Sequence, residues 1–203
     1  MEEARIDNKI KILSEKELAE QWNELNHTIC CLYQKMSVKF INEHIDDIDW
    51  PSLSVNPNLT IEIIDAFPNK ISWASICINK KTVSDVILYN YRTKILWGVL
   101  LPHQQLNLKL LVILSEAFRK SRSKVAKMFW KAVSRYQKFD VDYVDTYKRF
   151  LDYNDMSYNP YLDDKTIEKY LMKLDAKILL KTRDLSDDIL KKHIDYFKSF
   201  IGK

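Results

Sequence analysis

Hydrophobic and polar positions along this chain follow one recurring phrase. An apolar residue is followed by Ser, Thr, Asp or Asn, and a second apolar residue stands four positions after the polar one. The copies are Met36-Ser37…Ile41, Leu59-Thr60…Ile64, Val83-Ser84…Leu88, Leu106-Asn107…Leu111, Phe139-Asp140…Val144, Leu162-Asp163…Ile167 and Leu185-Ser186…Leu190. The polar members lie 23, 24, 23, 33, 23 and 23 residues apart. A period in this range is the signature of stacked repeats. The phrase has a direct physical reading. A short polar side chain at an N-cap accepts from the free N–H groups of a helix's first turn. The apolar residue before it packs on the one at N4, a hydrophobic staple that sets the angle of entry.

Further columns share the period. Trp50, Trp97, Trp130 and Tyr153 stand ten residues before the cap, and Trp73 fits with one residue inserted. His27 and Ala176 are the weak members of that column. Cys30, Leu53, Cys77, Leu100, Val133, Met156 and Leu179 stand seven before it, all apolar. His44, Phe67, Tyr91, Leu114, Tyr147, Tyr170 and His193 stand seven after it, mostly aromatic. Each unit reads as a short helix carrying the Trp, a turn, and a longer helix opened by the staple. One unit cannot bury a Trp alone, but stacked neighbours can. Trp50 and Trp130 are therefore expected to be buried.

The resulting architecture is all-α: an α-solenoid of about seven two-helix units with capping helices at both ends, forming one domain over 1–203. Residues 1–35 supply a charged arm and a first capping helix. That helix opens on the capping box Ser14-Glu15-Lys16-Glu17 and carries the stripe Leu18, Trp22, Leu25, Ile29 and Leu32. Residues 36–114 hold the first repeats. The 33-residue step between Asn107 and Asp140 contains ten extra residues, which fall near 115–130 and predict an extended or additional helix. Residues 130–203 finish the array. A closing cap carries Ile189, Leu190, Ile194, Phe197 and Ile201 on one side.

Composition narrows the reading. The chain of 203 residues contains only two glycines, Gly98 and Gly202. That argues against a Gly-rich phosphate loop or dinucleotide fingerprint and against tight hairpins. Three cysteines, Cys30, Cys31 and Cys77, make no disulfide framework and suit buried thiols in a reducing compartment. The N-terminus lacks the features of a signal peptide. The most apolar stretch, 95–114, is broken by Pro102, His103 and Lys109 and does not suit a membrane span. An intracellular, soluble protein is expected.

The phrases Asp49-Trp50-Pro51-Ser52-Leu53-Ser54-Val55-Asn56-Pro57-Asn58-Leu59-Thr60 and Ile71-Ser72-Trp73-Ala74-Ser75-Ile76 resemble a short Trp-containing repeat found in proteins of giant and other large DNA viruses and of some phages. The likeness is good over 45–114 and 130–170 and degraded at both ends. Tyr153 and Ala176 replace the Trp, and Leu101 and Leu180 replace the Ser seen at Ser54, Ser134 and Ser157. The resemblance implies a helical scaffold of viral or phage origin, acting in host cytoplasm, a virus factory or the virion. It carries over no catalytic residue.

Candidate chemistry gathers at the irregular step. Arg119, Lys120, Arg122, Lys124, Lys127, Lys131, Arg135 and Lys138 give eight positive charges with no acid among them, although the whole chain is only +4. Residues 140–164 then hold seven aspartates against Lys148 and Arg149. A basic helix of this kind docks on phosphates or on an acidic protein patch. It also suits a solvated face whose charges pair with the aspartates that follow. Phe118, Phe129, Trp130, Tyr136 and Phe139 interleave with the cations, but Trp130 and Phe139 already belong to repeat columns. His27 and Cys30 lack a second pair at zinc spacing, and the acids spread with the helical period instead of converging. Asp140, Asp142 and Asp145 read as a cap and an exposed face, and Asp163 and Asp164 as a cap and its first-turn neighbour.

The expected role is non-enzymatic: a scaffold or adaptor for a protein partner, with no cofactor, metal, membrane or small-molecule substrate. A nucleic-acid-binding repeat using the same basic segment, and a self-associating structural component, are the alternatives.

Overall fold

The computed structural model describes residues 10–79 and 83–200. The described residues form short helices joined by turns, with no strand among them. The chain divides into two compact units, Met1–Val83 and Ser84–Lys203.

The first unit holds α1 (Glu15–Gln21), α2 (His27–Tyr33), α3 (Val38–Glu43), α4 (Trp50–Val55), α5 (Ile61–Ala66) and α6 (Trp73–Asn79). Here α4 packs on α2 and α6, while α3 packs on α5. The second unit holds α7 (Asp85–Asn90), α8 (Trp97–Leu100), α9 (Leu108–Phe118), α10 (Lys124–Tyr136), α11 (Val141–Tyr147), α12 (Tyr153–Ser157), α13 (Asp164–Tyr170), α14 (Ala176–Thr182), α15 (Asp187–Lys192) and α16 (Ile194–Lys198). Here α10 packs on α8 and α12, α12 on α14, α7 on α9, and α11 on α13. Helices two apart are neighbours, so each unit is built from two rows. This is the all-α helical-repeat arrangement expected from the 23-residue period.

All seven cap residues stand immediately before a helix, as the phrase requires. Ser37, Thr60, Asn107, Asp140, Asp163 and Ser186 accept from the N3 backbone N–H, and Ser84 makes no such bond. The staple partners Ile41, Ile64, Leu88, Leu111 and Val144 are fully buried. The structure adds an eighth copy. Leu13-Ser14…Leu18 lies one period upstream of Ser37, and Ser14 caps α1 through a complete capping box.

That copy corrects the expected N-terminal capping helix. The chain leaves α1 through a 3-10 turn at Trp22–Glu24, becomes extended at Leu25 and restarts at the Asn26 cap. Leu18 and Trp22 are buried, but Ile29 is exposed, so the apolar stripe stops at the break. The C-terminal cap is likewise two helices, interrupted at His193. Phe197 is buried and Ile194 exposed. Ile201, like most of the arm at 1–9, lies outside the described residues.

Two polar ladders join successive repeats. Ser54 Oγ donates to the Trp50 carbonyl one turn back and accepts from Ser72 N–H at 2.8 Å, in the next repeat. Ser134 and Ser157 do the same with Asp152 and Asp175 N–H, at 2.9 and 2.8 Å. The recurring Ser is therefore a bridge between repeats. The second ladder is made of amides. Asn56 Nδ2 donates to the carbonyls of Cys31 and Gln34, and Asn159 Nδ2 to those of Ser134 and Gln137. Gln34 and Gln137 reach backward in the same way, to Lys11 O and Leu13 N–H, and to Leu101 O, Gln104 O and Leu106 N–H. At the last step Arg183 replaces the amide, donating to the carbonyls of Asn159 and Leu162. Asn56 and Asn159 thereby satisfy carbonyls at the C-terminal ends of α2 and α10, which have no partner within their own helix.

Not every Trp of the column is buried. Trp97 is 0 % and Trp130 5 % exposed, but Trp50 is only half-buried and rests against Phe67, with ring centroids 5.3 Å apart. Trp22, outside the column, is 1 % exposed and stacks on His27. The three cysteines are buried. Burial pushes the Cys31 thiol up to about 11 and raises that of Cys30. A thiol that is both hidden and undissociated is a poor nucleophile. Iodoacetamide at neutral pH is expected to leave all three unmodified in the folded chain and to label all three after denaturation. Rapid native labelling of Cys31, counted by mass spectrometry, would show that α2 opens readily.

Candidate binding surface at the enlarged repeat

The ten extra residues lengthen both neighbouring helices. α9 runs for 11 residues and α10 for 13, where the corresponding helices of other repeats have four to seven. Ser123 caps α10 by accepting from Ala126 N–H. Trp130 therefore lies in the middle of α10, whereas Trp50, Trp73 and Trp97 each open a helix.

The insertion changes the surroundings of that ring. In three of the regular repeats the column residue reaches the carbonyl five positions earlier. Trp97 Nε1 donates to Arg92 O at 3.0 Å, Tyr153 Oη to Lys148 O at 3.3 Å, and His27 Nε2 lies 3.0 Å from Trp22 O. For Trp130 the residue five back is Val125, inside α10 itself, where its carbonyl serves the helix ladder. Trp130 Nε1 is buried and has no hydrogen-bond partner among the described residues. The ring stays anchored by stacking, on Phe150 at 5.1 Å with a 20° interplanar angle and edge-on to Phe129 at 5.3 Å.

Beside Trp130 the surface forms a hollow of about 850 Å³. Arg119, Lys120, Arg122, Lys127 and Lys131 line it, together with Arg149, Ser121, Phe150 and Asp152. Five of the eight basic residues singled out in the sequence thus share one hollow. The structure takes the other three elsewhere. Lys124 is exposed in the first turn of α10 and does not line the hollow. Arg135 pairs with the buried Asp155 at 3.1 Å and lies over the Tyr158 ring at 4.3 Å. Lys138 lines a separate hollow with Phe139, Asp140 and Tyr161. Arg149 was outside the basic run in sequence. It joins the hollow because the turn after α11 returns the chain to α10, and no local pattern announces that.

The aspartates that follow do not neutralise the cluster. Asp140, Asp152 and Asp163 are N-caps, and Asp145 pairs with Lys169. Of the described aspartates only Asp155 pairs with the basic segment, through Arg135 and through Lys131 at 3.7 Å. Arg119 is held by Glu116 at 2.8 Å. Hydrogen bonds from Tyr147 and Arg119 keep the Glu116 carboxyl below its usual range. Lys120, Arg122, Lys127 and Arg149 have no ion-pair partner within 4.0 Å among the described residues and are exposed. Asp152, the one acid on the wall, spends Oδ1 on Asp155 N–H. The hollow therefore offers concentrated positive charge and an aromatic edge, and Trp130, whose indole N–H is buried without a partner, is one of its wall residues.

No group of three or more potential metal ligands occurs among the described residues. No helix of the described residues is long and apolar enough to cross a membrane. Comparison with family models, with curated proteins and with solved structures finds no match.

Proposed function

We propose that this chain is a non-enzymatic binding scaffold, of the Trp-repeat kind carried by large DNA viruses and phages, that engages an anionic macromolecular partner through the hollow at its enlarged repeat. The observation that carries this reading is a coincidence of place. The insertion that breaks the 23-residue period also gathers Lys120, Arg122 and Lys127 with Arg149 around one hollow. Arg135, by contrast, is spent on the buried Asp155, and Asp140, Asp152 and Asp163 are spent on capping helices. Clustered, unpaired cations raise the encounter rate with an anionic surface and set the orientation of docking. Repeat arrays suit such a role because nearest-neighbour packing tolerates a local insertion without loss of the rest.

The test is capture from cell extract by the full immobilised chain, beside a variant carrying Lys120→Glu, Arg122→Glu, Lys127→Glu and Arg149→Glu. All four residues are exposed, so helicity by circular dichroism is expected to be unchanged. Loss of the captured partner is the predicted result. Retention of the partner by the reversed variant would move the binding site elsewhere.

A further inference from the structure

We infer that the hollow takes a single nucleic-acid strand, with one backbone phosphate accepting from Trp130 Nε1; this rests on the proposed binding role of the same hollow. The indole N–H is the informative group. Buried donors are almost always paired, and the equivalent ring atoms of His27, Trp97 and Tyr153 have their carbonyl. At Trp130 the residue five back lies within α10 itself, and a cation-lined hollow opens beside the same ring. What is missing is an oxygen acceptor, and the surrounding charge selects an anionic one. Nε1 is shielded from solvent, so a neighbouring side chain must yield to admit that oxygen. The neighbours on the hollow include long, exposed lysines and arginines, which reorient at little cost.

Charge and size decide what carries the oxygen. A single phosphorylated side chain brings about −1.5 to −2, whereas Lys120, Arg122, Lys127 and Arg149 all lack an ion-pair partner within 4.0 Å among the described residues. A ligand with phosphates in series matches that surplus better. The hollow, at about 850 Å³, is also far larger than one phosphate group needs. Phe150, half-buried and stacked on Trp130, adds an aromatic edge to the wall. Cations interleaved with an aromatic ring grip a strand whose bases are unstacked, and a duplex keeps its bases inside.

The experiment is a fluorescence-anisotropy titration of the full chain with a labelled single-stranded oligonucleotide. The same-sequence duplex, an acidic phosphoserine peptide and inorganic phosphate serve as competitors. The strand is expected to bind, with affinity falling steeply as salt rises, and to resist all three competitors at equal concentration. Trp130→Phe keeps the ring and loses only the N–H; it is expected to weaken binding about ten-fold without changing the salt slope. Lys127→Gln is expected to lower the slope by about one unit of log K per log salt. An unfolding midpoint for each variant separates loss of contact from loss of fold. Absent strand binding, equal competition by the phosphopeptide, or an unchanged affinity in a folded Trp130→Phe chain would overturn the inference. If the four-fold charge reversal still abolished capture from extract in any of those cases, the binding role of the hollow would stand and only the nucleic-acid assignment would fall.

Discussion

Trp97→Ala is expected to lower the unfolding free energy by about 3–5 kcal/mol, the range for emptying a buried large aromatic site. Trp97 is 0 % exposed and meets Phe118 and Phe129 edge-on, with centroids 6.1 and 5.1 Å away. Phe118 and Phe129 in turn pack on each other at 4.7 Å, so the three rings form one cluster at the start of the enlarged repeat. Removing Trp97 also leaves the Arg92 carbonyl without the indole donor. The same substitution at Trp50 is expected to cost clearly less, because that ring is half-buried and its described ring contact is Phe67. Urea unfolding of both variants checks the order. A larger loss at Trp50 would mean that position in the repeat, and not burial, sets the energetic weight.

The second large effect is expected from a polar position. Asn159 is fully buried, donates to the carbonyls of Ser134 and Gln137, and accepts from Tyr161 N–H. Asn159→Leu has a similar volume but leaves two buried carbonyls and an N–H unpaired. Each orphaned group costs about 1–3 kcal/mol, so the variant is expected to lose about 3–5 kcal/mol, as much as a core aromatic. Hydrogen exchange should show the damage first at the C-terminal turn of α10, whose end carbonyls depend on this side chain. Near-wild-type stability would show that water replaces the amide and that the ladder only sets register.

These two residues illustrate what a single sequence reveals. The staple and cap are local, spanning five or six residues, so Ser37 to Ser186 could be read directly and all seven stand at helix starts. The amide ladder is not local. Asn159 acts on carbonyls 25 and 22 residues away, whereas its local Asn-Pro setting signals only a turn. Its partners on the ladder are Asn, Gln or Arg at slightly different offsets, so no column of identical residues marks it. The serines at 54, 134 and 157 were visible as a recurring residue, but their acceptors and donors lie one turn back and one repeat ahead.

The same limit applied to the breaks at Leu25 and His193. A stripe at helical spacing continues through both, while the backbone restarts at an Asn26 cap or turns without one. At the enlarged repeat, the charge run was legible and its division was not. Arg135 looked equivalent to Lys127 in sequence, yet Arg135 serves the buried Asp155 and Lys127 lines the hollow. Arg149 needed the fold to bring it there. The insertion does place a helical carbonyl five positions before Trp130, where Trp97 and Tyr153 find a turn carbonyl.

The claim that binding was built into the irregular repeat is tested most directly by amide hydrogen exchange of the full chain with and without its captured partner. The account predicts added protection concentrated over 119–131 and 149–152, with the first unit, Met1–Val83, unchanged. Protection spread over the regular repeats, with the hollow exchanging as before, would contradict it.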